Sequence, residues 1–302
     1  KNKDLFDSYI DKSKAMYKNL LSNPTYYYYN ESNKILTQNH PRGGQFPSAE
    51  DWDIIDFDKT FEIYNERFEN AADFSFIIIG NFKVDAIKPL LNQYIASLPS
   101  SNAKETWKDL GIRPPEGVVR KDIIKGSDPK SIVNIRFHGK YEFDRKTNHQ
   151  LKTLTDVLNI ILIEKIREEQ SGVYGISASP STNKNPYSHY TISVNFPCKP
   201  ENSESLSIAV FDILKSIQQN GVSNEEFNKV IETQSREMEV KIKENSYWMG
   251  ALKYSYQYDY APASILDYQQ RIDAVTKADL QKIAKDYINF DNYVYLRLLP
   301  EN

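Results

Sequence analysis

One cysteine in 302 residues, Cys198, excludes an internal disulfide and any zinc site built from cysteines. Histidine is scarce as well: His40, His138, His149 and His189 are the four. Only His138 has a Glu or a second His three or four residues on, Glu142, and it falls at the end of a segment that reads as strand, where that spacing does not set two metal ligands on one helical face. Neither H-E-x-x-H nor H-x-x-E-H occurs. A Walker loop, a G-x-G-x-x-G and a G-x-S-x-G elbow are missing too, so the chain carries no complete catalytic constellation of its own. Long apolar runs are absent: Phe74 to Ile79, interrupted by Ser75, is far too short to span a bilayer. Charge of one sign is not in excess either. Lys and Arg number 38, Asp and Glu 41, and the net charge of −3 points to neither nucleic acid nor an anionic membrane as partner. No signal-peptide pattern opens the chain, and it begins on Lys1 instead of Met, which predicts a piece of something longer.

What is present reads as ordinary globular protein. A hydrophobic share of 40% and this length predict two domains, each able to bury a core. The stretch Leu98 to Gly117 holds Pro99, Pro114 and Pro115, little periodicity, and the composition of a linker. It predicts a first domain over 1–100, a linker over 101–117 and a second domain over 118–302. Before the linker, Asp56 to Phe68 has a helix pattern with an acidic cap, and Phe74 to Gly80 reads as a buried strand. After it, residues 131–138 read as a strand. Leu151, Leu154, Leu158, Ile161, Leu162 and Ile166 recur at i, i+3, i+4 and i+7, an amphipathic helix. Val173 to Ser179 and Tyr187 to Phe196 read as two further strands. Helices follow through Leu206 to Ile217, stopped by Gly221, and from the Ser223/Glu226 capping box. Thr276 and Asp279 cap a last helix, and Tyr293 to Leu299 is the last strand. Helix-then-strand endings in both parts predict a duplicated α+β domain, each copy a mixed sheet with helices packed on one face, the first copy truncated. Tyr26 to Tyr29, from a chain holding 21 tyrosines, suit either a peptide groove or helix packing.

The most loaded segment runs from Arg167 to Tyr174 (R-E-E-Q-S-G-V-Y) and turns from helix into strand, with Gly172 at the turn. Arg167 and Tyr174 across such a turn can reach one edge of the sheet, where two donors could hold a peptide carbonyl and the oxyanion formed on attack. The same residues also fit a plainer account, an Arg complementing the helix macrodipole and a Tyr in a strand.

Arg167-Glu168 through Gly172-Val173-Tyr174 resembles the R-E-x-x-x-G-x-Y segment of the pitrilysin/insulinase zinc peptidases. Tyr64-Asn-Glu-Arg-Phe68, Asp73 to Asn81 and Tyr94 to Pro99 resemble the end of the preceding domain in the long bacterial members. His40-Pro41-Arg42-Gly43 resembles an H-P-x-G segment of that domain, and Asn245, Trp248 and Leu252 fit an N-x-x-W pattern. The resemblance implies two homologous halves closing like a clamshell around a peptide or unfolded protein. This chain would be the second part of the third domain and all of the fourth. It implies that Arg167 and Tyr174 bind the substrate carbonyl, and that Zn2+ and the catalytic residues belong to an N-terminal half absent here. This fragment would then bind no metal and be inactive alone. A periplasmic or cell-envelope location is implied in the same way. The alternative is a non-catalytic partner or scaffold subunit that keeps the fold without the chemistry.

Overall fold

The computed structural model describes residues 1–101, 105–168, 173 and 175–301 (of Glu168, the backbone only). Along the chain run α1 (Lys3–Leu20), α2 (Pro24–Leu36), α3 (Phe57–Phe68), α4 (Val84–Tyr94), β1 (Val118–Ile124), β2 (Ser131–Lys140), α5 (Arg145–Leu162), β3 (Ser177–Asn183), β4 (His189–Cys198), α6 (Ser203–Asn220), α7 (Asn224–Lys241), α8 (Asn245–Gln257), α9 (Tyr268–Asp273), α10 (Lys277–Tyr287) and β5 (Tyr293–Leu299). Ile163–Glu168 winds on from α5 as a π-helical stretch.

Two compact units form, and neither is continuous in sequence. One comprises Lys1–Asn19, Phe46–Lys108 and Val240–Ile265; the other Leu20–Gln45, Asp109–Glu239 and Leu266–Asn302. The division therefore differs from a simple break at the linker. Residues 20–45 fold with the second unit, and 240–265 with the first.

The second unit is α+β, built on a five-stranded mixed sheet of order β1-β5-β2-β4-β3. β1 runs parallel to β5, and the remaining pairs are antiparallel. Val133, Ile135 and Phe137 of β2 and Ile192, Val194 and Phe196 of β4 face one side. There they share a core with Leu151, Leu154 and Leu158 of α5, Val210 and Leu214 of α6, and Leu280 and Ala284 of α10. Each large aliphatic side chain enclosed this way contributes roughly 1.5–3 kcal/mol. The caps fall where the sequence puts them. Gly221 ends α6 at φ 74°, Ser223 and Glu226 bond each other's backbone N–H ahead of α7, and Thr276 and Asp279 close a full capping box on α10.

Helices are not confined to one face. α2, capped by Asn23, which accepts from the backbone N–H of Thr25 and Tyr26, packs on the opposite side. Its Tyr28 is buried there with Val294, Leu296 and Leu298 of β5 and Ile123 of β1. β1 is absent from the sequence reading because Arg120, Lys121 and Asp122 interrupt its apolar pattern. As an edge strand it tolerates those charges, and Arg297 of β5 grips Asp122 at 2.7 and 2.8 Å. The strand expected over Val173 to Ser179 begins only at Ser177 and runs on to Asn183; Val173 makes an isolated bridge to Cys198.

The first unit holds most of α1, and α3, α4 and α8. The strand expected at Phe74 to Gly80 is not formed. A strand needs a partner for its backbone groups, and none of the described strands belongs to this unit. Phe74, Phe76 and Ile78 alternate outward, and an aromatic strip runs Tyr64, Phe68, Phe74, Phe76 with ring centroids 4.9, 6.1 and 6.2 Å apart, the first pair stacked and the other two edge-on. Among the described residues of this unit only Ser13, Ser255 and Ile265 are fully enclosed.

Candidate functional site

Alternation on β2 that sends Val133, Ile135 and Phe137 into the core sends Asn134, Arg136, His138 and Lys140 to the other face. Register extends that polar row sideways. Asn134 stands opposite Asn195, Arg136 opposite Ser193 and His138 opposite Thr191 on β4; Ser193 and Thr191 stand opposite Ser179 and Ser181 on β3. The result is a face of hydroxyls, amides and cations. Among its outward positions on β2, β4 and β3, none is Asp or Glu.

Beside this face lies an open concavity of about 860 Å³. The C-terminal end of α2, residues 112–117, the β3–β4 connection and residues 289–292 wall it in. One wall is a stack: the Arg113 guanidinium lies 3.5 Å over the Tyr187 ring, which stacks on His189 at 4.3 Å. Arg113 also forks onto Asp109, holding that carboxyl down to about 2. Gln38 donates to the carbonyls of Arg113 and Pro114 at 3.2 and 3.5 Å. The later part of the predicted linker is thus pinned to the second unit.

Arg136 is the unusual member. Its Nε is enclosed and has no hydrogen-bond partner, and no carboxylate among the described residues reaches ion-pair distance. Burial pushes its guanidinium below the usual value. His138 is 6% exposed, and its Nε2 is likewise without a partner. Burial first, then the charge of Arg136, holds its imidazole below the ordinary histidine value.

Of the residues singled out in sequence, Arg167 is exposed at the end of the π-helical stretch, anchored by the fully buried Ile166 before it. Tyr174 and Gly172 lie outside the described residues, so the pairing of Arg167 with Tyr174 is described at its Arg167 end alone. The tyrosine run divides. Tyr28 is enclosed and its hydroxyl donates to the Leu296 carbonyl at 3.3 Å, while Tyr26 and Tyr29 are exposed. His40 sits in a loop, its Nδ1 accepting from the Arg42 N–H. Arg136, His138 and Arg113 were missed as site residues. Period-two alternation in S-I-V-N-I-R-F-H-G-K was the signal for the first two.

Zinc finds no home in this face. Among the described residues no group of three or more His, Cys, Asp or Glu side chains stands where it could hold a metal ion. His138 is enclosed beside a cation instead of a carboxylate, so the residues present do not fit a metal site. Nor is any described helix long and apolar enough to cross a membrane.

Comparison with known proteins adds a family and a fold. The profile described as peptidase M16 inactive domain matches residues 55–234. The probable zinc protease PqqL of Escherichia coli is 21% identical over 279 residues, covering 90% of this chain and 28% of that protein. A zinc protease PQQL-like protein of Arabidopsis thaliana is 24% identical over 214 residues, 66% of this chain and 22% of its own length. The chain thus spans less than a third of these curated relatives. The solved periplasmic protease PqqL from Escherichia coli superposes with a TM-score of 0.84 at 18% identity, over 99% of this chain and 33% of that one. A peptidase M16 inactive domain from Pseudomonas fluorescens gives 0.78 at 16% identity, over 100% and 71%.

Proposed function

Because this chain belongs to the peptidase M16 inactive-domain family, we propose that it is the C-terminal, substrate-binding part of a zinc-dependent endopeptidase acting on peptides or unfolded proteins. The observation that carries the reading is the match of nearly the whole chain to about one third of a periplasmic protease. A part of that size supplies chamber wall and substrate contacts, and the zinc and its ligands belong to an N-terminal half on the same or another polypeptide. The first unit supports it from another side. A strip of exposed aromatics beside an unpaired extended segment is what a domain presents when the rest of its sheet comes from elsewhere. In this reading residues 1–100 are the second part of one α+β domain and 118–302 the complete C-terminal one, with 20–45 folded into the second unit and 240–265 into the first.

In this reading Arg167, at the helix end, and Tyr174 donate to the substrate carbonyl beside the scissile bond. Two preorganised donors stabilise charge that develops on that oxygen. A periplasmic location follows from the likeness to PqqL alone. The test compares the intact polypeptide, zinc half included, with one lacking residues 1–302. Zinc content is expected to persist while kcat/KM for an unfolded peptide falls by about 10² or more, since positioning is lost. Unchanged kcat/KM would give the place to the non-catalytic partner reading.

A further inference from the structure

A guanidinium enclosed without a counter-ion is costly, because desolvation of the charge is offset by nothing. Arg136 meets that condition in part: its Nε is enclosed and unpartnered, while the residue as a whole is half-buried. Beside it on the same strand face, His138 is more than nine-tenths buried and its Nε2 is unpartnered too. Both line the 860 Å³ concavity, and Lys140 adds a further nitrogen donor beside it. Two carboxylates, Glu116 and Asp291, also line it, and neither is within ion-pair distance of Arg136. The face running away from Arg136 toward β3 is Ser193, Ser179, Thr191 and Ser181, small groups that leave room for an extended chain and offer it hydroxyls.

We propose that this open face of β2, β4 and β3 holds an acidic stretch of peptide, with one carboxylate seated between Arg136 and His138. The proposal rests on the peptide-binding reading above and names the class of peptide. A carboxylate there accepts from the half-buried guanidinium where it lines the concavity, and places a negative charge beside the enclosed imidazole of His138. Basic segments would be turned away by the same charges, so the face selects as well as binds.

The experiment measures fluorescence anisotropy of three labelled peptides of one sequence against the full chain. One carries Glu with an amidated C-terminus, one Gln with an amidated C-terminus, one Gln with a free C-terminus. The Glu peptide is expected to bind about tenfold more tightly than its amidated Gln counterpart, the range for a desolvated charge contact. Arg136→Met, similar in reach but uncharged, is expected to erase that preference, so that the Glu and Gln peptides bind alike, with a melting temperature no lower than that of the unaltered chain. Equal affinity of the first two peptides for the unaltered chain would overturn the proposal, with no variant needed. A preference that survives Arg136→Met would overturn the anchor. Tight binding of the free-acid Gln peptide alone would overturn the acidic stretch in favour of a chain terminus. Failure of all three to bind would remove the peptide-binding reading itself, and this proposal with it.

Discussion

Removing the Tyr174 hydroxyl while keeping its ring separates a substrate contact from strand packing. If the proposed function holds, Tyr174→Phe in the intact polypeptide is expected to lower kcat by about 10²–10³ with zinc content and melting temperature unchanged, the usual result of losing one oxyanion donor. Arg167→Ala deletes several donors and a charge, and is expected to raise KM as well as lower kcat. Steady-state kinetics and melting curves check both; normal turnover with a lowered melting temperature would return the pair to packing and helix capping. Legibility differs between these residues and Arg136. Arg167 belongs to a contiguous segment with a helix, a glycine and a tyrosine in recognisable order, so local sequence is enough to single it out as a candidate. Arg136 looks like any cation on a solvated strand face. Its enclosure depends on α2 and the 112–117 segment, which come from other parts of the chain and leave no mark beside it.

Elements whose signals are local came through well. Gly221 shows why: at φ 74° and ψ −160° it occupies backbone space that side chains avoid, so the residue that ends α6 had to be glycine. Gly221→Ala meets only side-chain atoms of Gln281, at 3.8 Å or beyond, so strain and not crowding sets its cost. A loss of about 1–3 kcal/mol is expected for such a conformation, read as a lowered denaturant midpoint for the unit holding α6 and α10. Midpoints equal within error would mean that α6 ends without needing the glycine. The capping box at Thr276 and Asp279 was legible for the same reason. β1 and the segment 74–80 were not, and they fail in opposite directions. β1 is a strand because β5 lies beside it, despite three charged residues in its middle. Residues 74–80 have a strong strand pattern and no partner strand among the described residues of their unit. Pairing decides a strand, and a single segment does not encode its neighbour.

For the whole molecule, limited proteolysis reports where chain is exposed and where it is held. Glu105 to Lys108 lie exposed and outside regular structure, whereas Arg113 is fixed by Asp109 and Tyr187. Trypsin is expected to cut after Lys108 before it cuts inside α5 or α7. Mass spectrometry of the first fragments checks this, and an early cut inside α5 would show that the second unit is less compact than described.

The cut need not separate the products. The backbone changes unit at 19/20, 45/46, 108/109, 239/240 and 265/266, so each unit is woven from three lengths of chain. A fragment ending at Lys108 would keep α2 in the sheet-bearing unit, and its complement would keep α8 among the helices of the other. The nicked protein is therefore expected to elute as one species, and to fall apart only in denaturant. In evolutionary terms such a weave resists shuffling: no single crossover lifts out either unit whole, so duplication or loss of one must carry the other along or leave both incomplete.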